Sequence, residues 1–150
     1  MTVYTLEREL FVPLPIERVF DFFSRAENLE RITPAWLNFR IVTPLPIEMK
    51  PGARIQYALR LRGIPLRWLT EIEVWNPPHE FVDVQLKGPY RLWHHTHRFR
   101  EVEGSTLMTD TVRYALPFGP LGRLANKLQV AADVTRIFDY RAREVRAKLA

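Results

Sequence analysis

A chain of 150 residues is the length of one ordinary domain and can bury about 70% of the surface its unfolded form exposes, so it needs no covalent or metal staple. It contains no cysteine, which excludes disulfides, thiolate chemistry and cysteine-ligated zinc and fits a reducing compartment. Net charge is +5, but lysine stands only at positions 50, 87, 127 and 148 and arginine supplies the other 18 of 22 basic residues, scattered along the chain rather than clustered among exposed aromatics as a nucleic-acid surface requires.

The segment after Met1, TVYTLERELFV, has neither the basic start nor the continuous apolar run of a signal peptide. No stretch approaches the ~18 apolar residues of a membrane span. The expectation is a cytoplasmic protein without an integral membrane segment. Residues 3 to 12 alternate, with Tyr4, Leu6, Leu10 and Val12 on one parity and Glu7 and Glu9 on the other, the pattern of a half-buried strand. Pro13 and Pro15 end it. Ile16, Val19, Phe20 and Phe23 then recur at helical spacing, with a break at Ser24 or Asn28 and a stop at Pro34, which predicts two short helices.

From there to about residue 116 the chain reads as strands and turns. LNFRIV is short. ARIQYALRL alternates cleanly, LRWLTEIEVW places Leu66, Trp68, Thr70, Ile72 and Val74 on one face, and EFVDVQL, RLWHHTHRFRE and TLMTDTVRYAL complete the run. KPG, RGIP, NPP, KGP and EGS separate them. Past Gly122 the chain carries neither glycine nor proline. Leu124, Leu128, Ala131, Val134, Phe138, Ala142, Val145 and Leu149 recur at three- and four-residue steps, so one long amphipathic helix is predicted over about 121–149.

These elements give an α+β fold in a single domain over 1–150. A curved antiparallel sheet of six or seven strands wraps a long C-terminal helix, and two short helices follow the first strand. A sheet that long twists and buries its concave face on the one helix able to cross it. The two meet at one end and part at the other, leaving a cavity between them.

Three of the four histidines fall in GPYRLWHHTHRF. Strand parity puts Trp93, His95, His97 and Phe99 on one face and His94 with Arg98 and Arg100 on the other. His95 and His97 therefore point into the concave side and His94 toward solvent. With Gly88, Pro89 and Tyr90 as a three-residue loop, Gln85 lies opposite Trp93, Asp83 opposite His95 and Phe81 opposite His97. A tight turn at Glu103–Gly104 puts His97 beside Asp110, with Val112 and Tyr114 further along that face. Buried histidine and aspartate are costly unless paired, so His95–Asp83 and His97–Asp110 pairs are expected. They either pin the register of three strands or form the polar end of a ligand cavity. Tyr57, Trp68, Phe81 and Trp93 supply apolar wall on the sheet, and Leu128, Ala131 and Phe138 supply it on the helix, where the small Ala131 leaves room. Two histidines and a carboxylate are a conceivable metal set, but no metal and no cofactor is expected. No nucleophile elbow, phosphate loop or dinucleotide fingerprint occurs.

WNPPHEFVDVQLKGPYRLWHHTHRF (75–99) and MTDTVRYALPFGPLGRLA (108–125), together with the order of elements over essentially the whole chain, resemble the helix-grip superfamily. START lipid-transfer domains, the birch-pollen allergen, polyketide cyclases and coenzyme Q-binding proteins share this fold. The resemblance implies an internal cavity with its mouth near the short helices, no metal and no cofactor. The leading functional expectation is a carrier or sensor that binds a small, largely hydrophobic molecule with at least one polar group. Alternatives are a cyclase or dehydratase using a cavity histidine as general base, and an interaction module whose cavity is filled by its own side chains. A homodimer is compatible with the sequence.

Overall fold

Residues 1–149 are described by the computed structural model. Strand β1 (Tyr4–Val12) leads into helices α1 (Ile16–Phe23) and α2 (Glu27–Arg31) and a 3-10 turn at Ala35–Leu37. Strands β2 (Arg40–Ile41), β3 (Arg54–Leu61), β4 (Ile64–Asn76), β5 (Glu80–Lys87), β6 (Leu92–Val102) and β7 (Ser105–Ala115) follow. The C-terminal helix is α3 (Gly119–Ala125), a π turn at Asn126–Val130, and α4 (Ala131–Leu149). All seven strands form one sheet in the order β1-β7-β6-β5-β4-β3-β2. Every paired neighbour is antiparallel, as the short turns between successive strands demand.

The turns set the register. At Arg62–Gly63 and Glu103–Gly104 both central residues have positive φ, the twist-matched geometry of a two-residue hairpin. Leu61 then pairs with Ile64 and Val102 with Ser105. The expected neighbours follow. Asp83 lies opposite His95 and Phe81 opposite His97, while His97 faces Asp110 and Phe99 faces Met108.

Strand β4 departs from simple alternation. Ile72 pairs with Asp83 but Val74 pairs with Val82, so Glu73 is an extra residue in a bulge. Beyond it the inward face passes from Val74 to Trp75, which packs 5.2 Å from Phe20 and 5.4 Å from Phe81. The apolar face of α1 closes this end of the sheet through Val19, Phe20 and Phe23, in one cluster with Phe81, Phe99, Met108 and Val145. Asn28 links α2 to α1, because its buried Nδ2 donates to the Phe22 carbonyl at 2.8 Å and satisfies one of the acceptors left over at a helix end.

The C-terminal helix corrects one expectation. Val134, Phe138 and Val145 are buried, but Leu124 and Leu128 are not, and Leu128 is 69% exposed. The π turn accommodates an additional residue. Each residue turns an α-helix by about 100°, so the stripe that continues from Ala131 does not extend back through Leu128. Asn126 faces inward instead and accepts a 2.8 Å hydrogen bond from the Tyr114 hydroxyl. At the start of this helix, Gly122 is buried against the loop before it, and a Cβ there would collide with the Pro117 carbonyl oxygen. Gly122→Ala is expected to destabilise the protein by about 1–3 kcal/mol, the usual cost of overpacking. Urea unfolding should show this as a lower midpoint at unchanged slope.

Candidate ligand-binding site

Sheet and helix separate around a cavity of about 200 Å³. Its apolar wall takes Tyr57 and Trp68 from β3 and β4, Phe81 from β5, and Phe138 from α4. At one end Trp68, Tyr90 and Trp93 pack on each other, with ring centres 4.8–5.6 Å apart. Gln85 builds this end without lining it. Its amide donates to the Tyr90 carbonyl at 2.7 Å and accepts from the Tyr90 amide at 3.1 Å, which fixes the β5–β6 loop over the cavity.

The polar end consists of His95, His97 and Asp83 from the sheet and Arg141 from α4. Both histidines are buried, and Asp110 is buried behind them. The rings form a continuous stack. Phe81 lies 3.9 Å from His97 at 13°, His97 lies 3.6 Å from His95 at 26°, and Phe138 meets His95 edge-on at 5.4 Å.

The expected pairs are exchanged. His95 Nε2 lies 2.7 Å from Asp110 Oδ1, and His97 Nε2 lies 2.6 Å from Asp83 Oδ2. The directly opposite partners are farther apart, with His95 Nδ1 3.9 Å from Asp83 and His97 Nδ1 3.3 Å from Asp110. Backbone register decides which residues are neighbours. The length of the imidazole lets its far nitrogen reach the diagonal carboxylate, a distance well within range on one sheet face.

Four charges balance in this group. Asp83 and Asp110 are both held below the usual carboxylate range. Burial works against their charge, but for Asp83 the hydrogen bond from His97 prevails, and for Asp110 the positive charge of Arg141 and the hydrogen bonds from both histidines do. His95 is pushed down to about 4, first by burial and then by the neighbouring His97. Burial opposes the charge of His97 as well, but its bonds to Asp110 and Asp83 prevail and raise it. Of the two stacked rings, His97 therefore takes the extra proton before His95 does, beside two carboxylates and Arg141. A second proton would place two cations face to face.

Asp83, His95 and His97 offer ligand atoms within 4.8 Å of one another, a set able to hold a transition metal. A metal there would compete with the 2.6 Å His97–Asp83 bond, next to the guanidinium of Arg141.

Of the residues singled out by sequence, Tyr57, Trp68, Phe81 and Asp83 line the cavity, as do Trp93, His95, His97 and Phe138. Asp110 and Tyr114 are buried behind the wall, and Gln85 holds the loop. Ala131 does not line the cavity, and Leu128, within the π turn, points to solvent. His94 lies on the outer face as expected, but it is only partly exposed and sits 3.7 Å from Glu73. Arg141 and Ile137 were missed. Their signal was present, since 134, 137, 138, 141 and 145 follow one helical stripe, but an arginine in that stripe reads as surface.

The chain matches the family model described as polyketide cyclase / dehydrase and lipid transport over residues 12–136. It is similar to the aromatase/cyclase Zhui from Streptomyces sp. R1128, at 14% identity and TM-score 0.78, covering 99% of this chain and 94% of that one. It is similar to TTHA0849 from Thermus thermophilus, at 20% identity and TM-score 0.74, covering 98% and 100%. Ara h 8.0201 is similar at 15% identity and TM-score 0.70, covering 99% and 98%. No curated protein matches the chain by sequence. No helix among the described residues is long and apolar enough to cross a membrane.

The histidine pair makes stability depend on pH in both directions. The folded state resists protonating His95, so His95 costs stability as pH falls from 6.5 toward about 4. The unfolded chain binds the proton more readily there. His97 acts oppositely, and its contribution is lost as pH rises through its raised value. His95→Gln, which keeps a donor for Asp110, should remove a loss on the order of 3 kcal/mol between pH 6.5 and 4. Urea unfolding at the two pH values checks this. Asp83→Asn should lower the pKa of His97, the ring it touches. An NMR titration that leaves His97 unmoved would refute the exchanged pairing.

Proposed function

The chain belongs to the polyketide cyclase / dehydrase and lipid transport family, and on that premise we propose that it binds a small, largely apolar molecule carrying one polar group in the cavity between sheet and helix. The observation that carries this reading is the contrast within one cavity. Aromatic and aliphatic side chains form most of its wall, and Asp83, His95, His97 and Arg141 form a compact polar group within it. Few polar groups in an apolar pocket fix orientation without much affinity of their own, while the wall supplies the binding energy. A volume of about 200 Å³ exceeds the ~150 Å³ apolar cavity that holds benzene. The reading is of a carrier or sensor acting as a soluble cytoplasmic protein.

One feature favours catalysis as a second reading. His95 lines the cavity in its neutral form and is held by Asp110 at 2.7 Å. Because Asp110 is ionised, the His95 proton sits on Nε2, and Nδ1 is left as a base. A base oriented by a carboxylate suits proton abstraction from an enolisable substrate, although a value of about 4 makes this ring a weaker base than a free imidazole.

Titration with the neutral fluorophore N-phenyl-1-naphthylamine tests the cavity. Ile137→Trp fills it from the helix and should abolish binding, whereas Leu128→Trp, on the exposed face, should leave binding unchanged. Equal binding by both variants would move the site elsewhere. His95→Gln separates the two readings. A carrier should change affinity by no more than about 1.5 kcal/mol, the scale of one net hydrogen bond. A cyclase should lose 10²- to 10⁴-fold in turnover, the usual size of general base catalysis.

A further inference from the structure

Arg141 is 8% exposed, and its side chain lines the cavity. Among the described residues no carboxylate oxygen lies within 4.0 Å of its guanidinium, and its Nε is sealed from solvent with no hydrogen-bond partner. The two acids nearby are committed elsewhere, Asp83 to His97 at 2.6 Å and Asp110 to His95 at 2.7 Å. Arg141 is held instead by apolar contact, with its guanidinium carbon 5.5 Å from the Phe23 ring centre and 5.6 Å from that of Phe138. An arginine cannot shed its proton to escape burial. Asp83 and Asp110 offset its charge at longer range, but its donors have no direct acceptor, which is costly and which two ring faces offset only in part.

We propose that Arg141 receives the carboxylate of an otherwise apolar ligand, so that the molecule bound is an aryl or alkyl carboxylic acid in its ionised form. This rests on the cavity reading above and names the chemistry of its ligand. A guanidinium presents a planar fork of donors that matches a carboxylate. The buried Tyr57 phenol lines the same cavity. It stays protonated, because burial and the charge of Asp83 raise it, and it adds a neutral donor near the same cation. A phosphate suits the site less well. It would bring up to two negative charges toward one arginine, with the partly exposed Asp83 in the same wall. The cavity's other arginine, Arg25, lies at the exposed rim 3.6 Å from Asp21.

Calorimetric titration with 2-naphthoate and 2-naphthalenemethanol at pH 7.5 tests the assignment, since the two probes share a ring system and differ in the carboxylate. The wild-type protein should bind naphthoate at least tenfold more tightly than the alcohol. Arg141→Met should abolish that preference while changing affinity for the alcohol less than about threefold. Arg141→Lys keeps the charge without the fork. It carries the test should the methionine variant not fold, and it should lose at least threefold of the preference. Retention of the full preference in either variant overturns the proposal, as does equal binding of the two probes by the wild type. If the neutral fluorophore binds but naphthoate is not preferred, only the role of Arg141 falls. If no probe binds, the cavity reading falls with it.

Discussion

Two aspartates kept ionised beneath a helix are the constraint from which the polar half of this protein follows. Asp83 and Asp110 stand on β5 and β7, on either side of the strand that carries His95 and His97. An unpaired buried carboxylate would cost several kcal/mol. Two imidazoles and one guanidinium supply the compensation. With His97 protonated and His95 neutral, two negative charges meet two positive ones and the group is neutral. Neutrality explains why the histidines move in opposite directions although their surroundings are nearly the same. His97 touches both carboxylates within 3.3 Å and takes the proton. His95 has one such bond and lies against the charged ring, so burial decides its state.

The diagonal pairs tie three strands together. Asp83 on β5 holds His97, diagonal to it on β6, and Asp110 on β7 holds His95, which is likewise diagonal to it. Slipping either hairpin by one residue would turn an acid to the outer face and strand a charged ring in the core. The flanking aromatics reinforce the register, since Phe81 and Phe138 close the two ends of the imidazole stack. What looks like a reactive cluster is thus also the part of the sheet least free to shift, and a binding wall benefits from that rigidity.

Much of this was legible in the sequence because strand parity and turn chemistry are local. Glu103–Gly104 and the glycine after Lys87 fix hairpin registers, and alternation then assigns His95, His97, Asp83 and Asp110 to one face. Three features were not local. Which carboxylate each ring reaches depends on side-chain length and rotamer, not on backbone pairing. The π turn at Asn126–Val130 leaves no mark on a three-and-four periodicity, so Leu128 read as core when it is solvent-facing. Glu73 read as an ordinary outward residue in β4, yet as a bulge it replaces Val74 by Trp75 on the inward side. Each miss comes from one extra residue or one extra bond, which a periodic pattern cannot register.

Arg141 is the most instructive miss because composition argued against it. The last helix is rich in arginine, and Arg136, Arg143 and Arg146 are exposed. Arg141 has the same neighbours in sequence but occupies the inward stripe between Phe138 and Val145. Its charge helps hold Asp110 and Asp83 ionised from the opposite layer of the fold, so helix and sheet are coupled electrostatically across the space that a ligand would fill. The aromatic end formed by Trp68, Tyr90 and Trp93 offers no such charge. On the proposed reading, a molecule with one polar and one apolar end binds with its polar atoms toward Arg141 and His95. The reversed orientation would desolvate those atoms against indole and phenol rings and give the guanidinium an apolar neighbour in place of an anion.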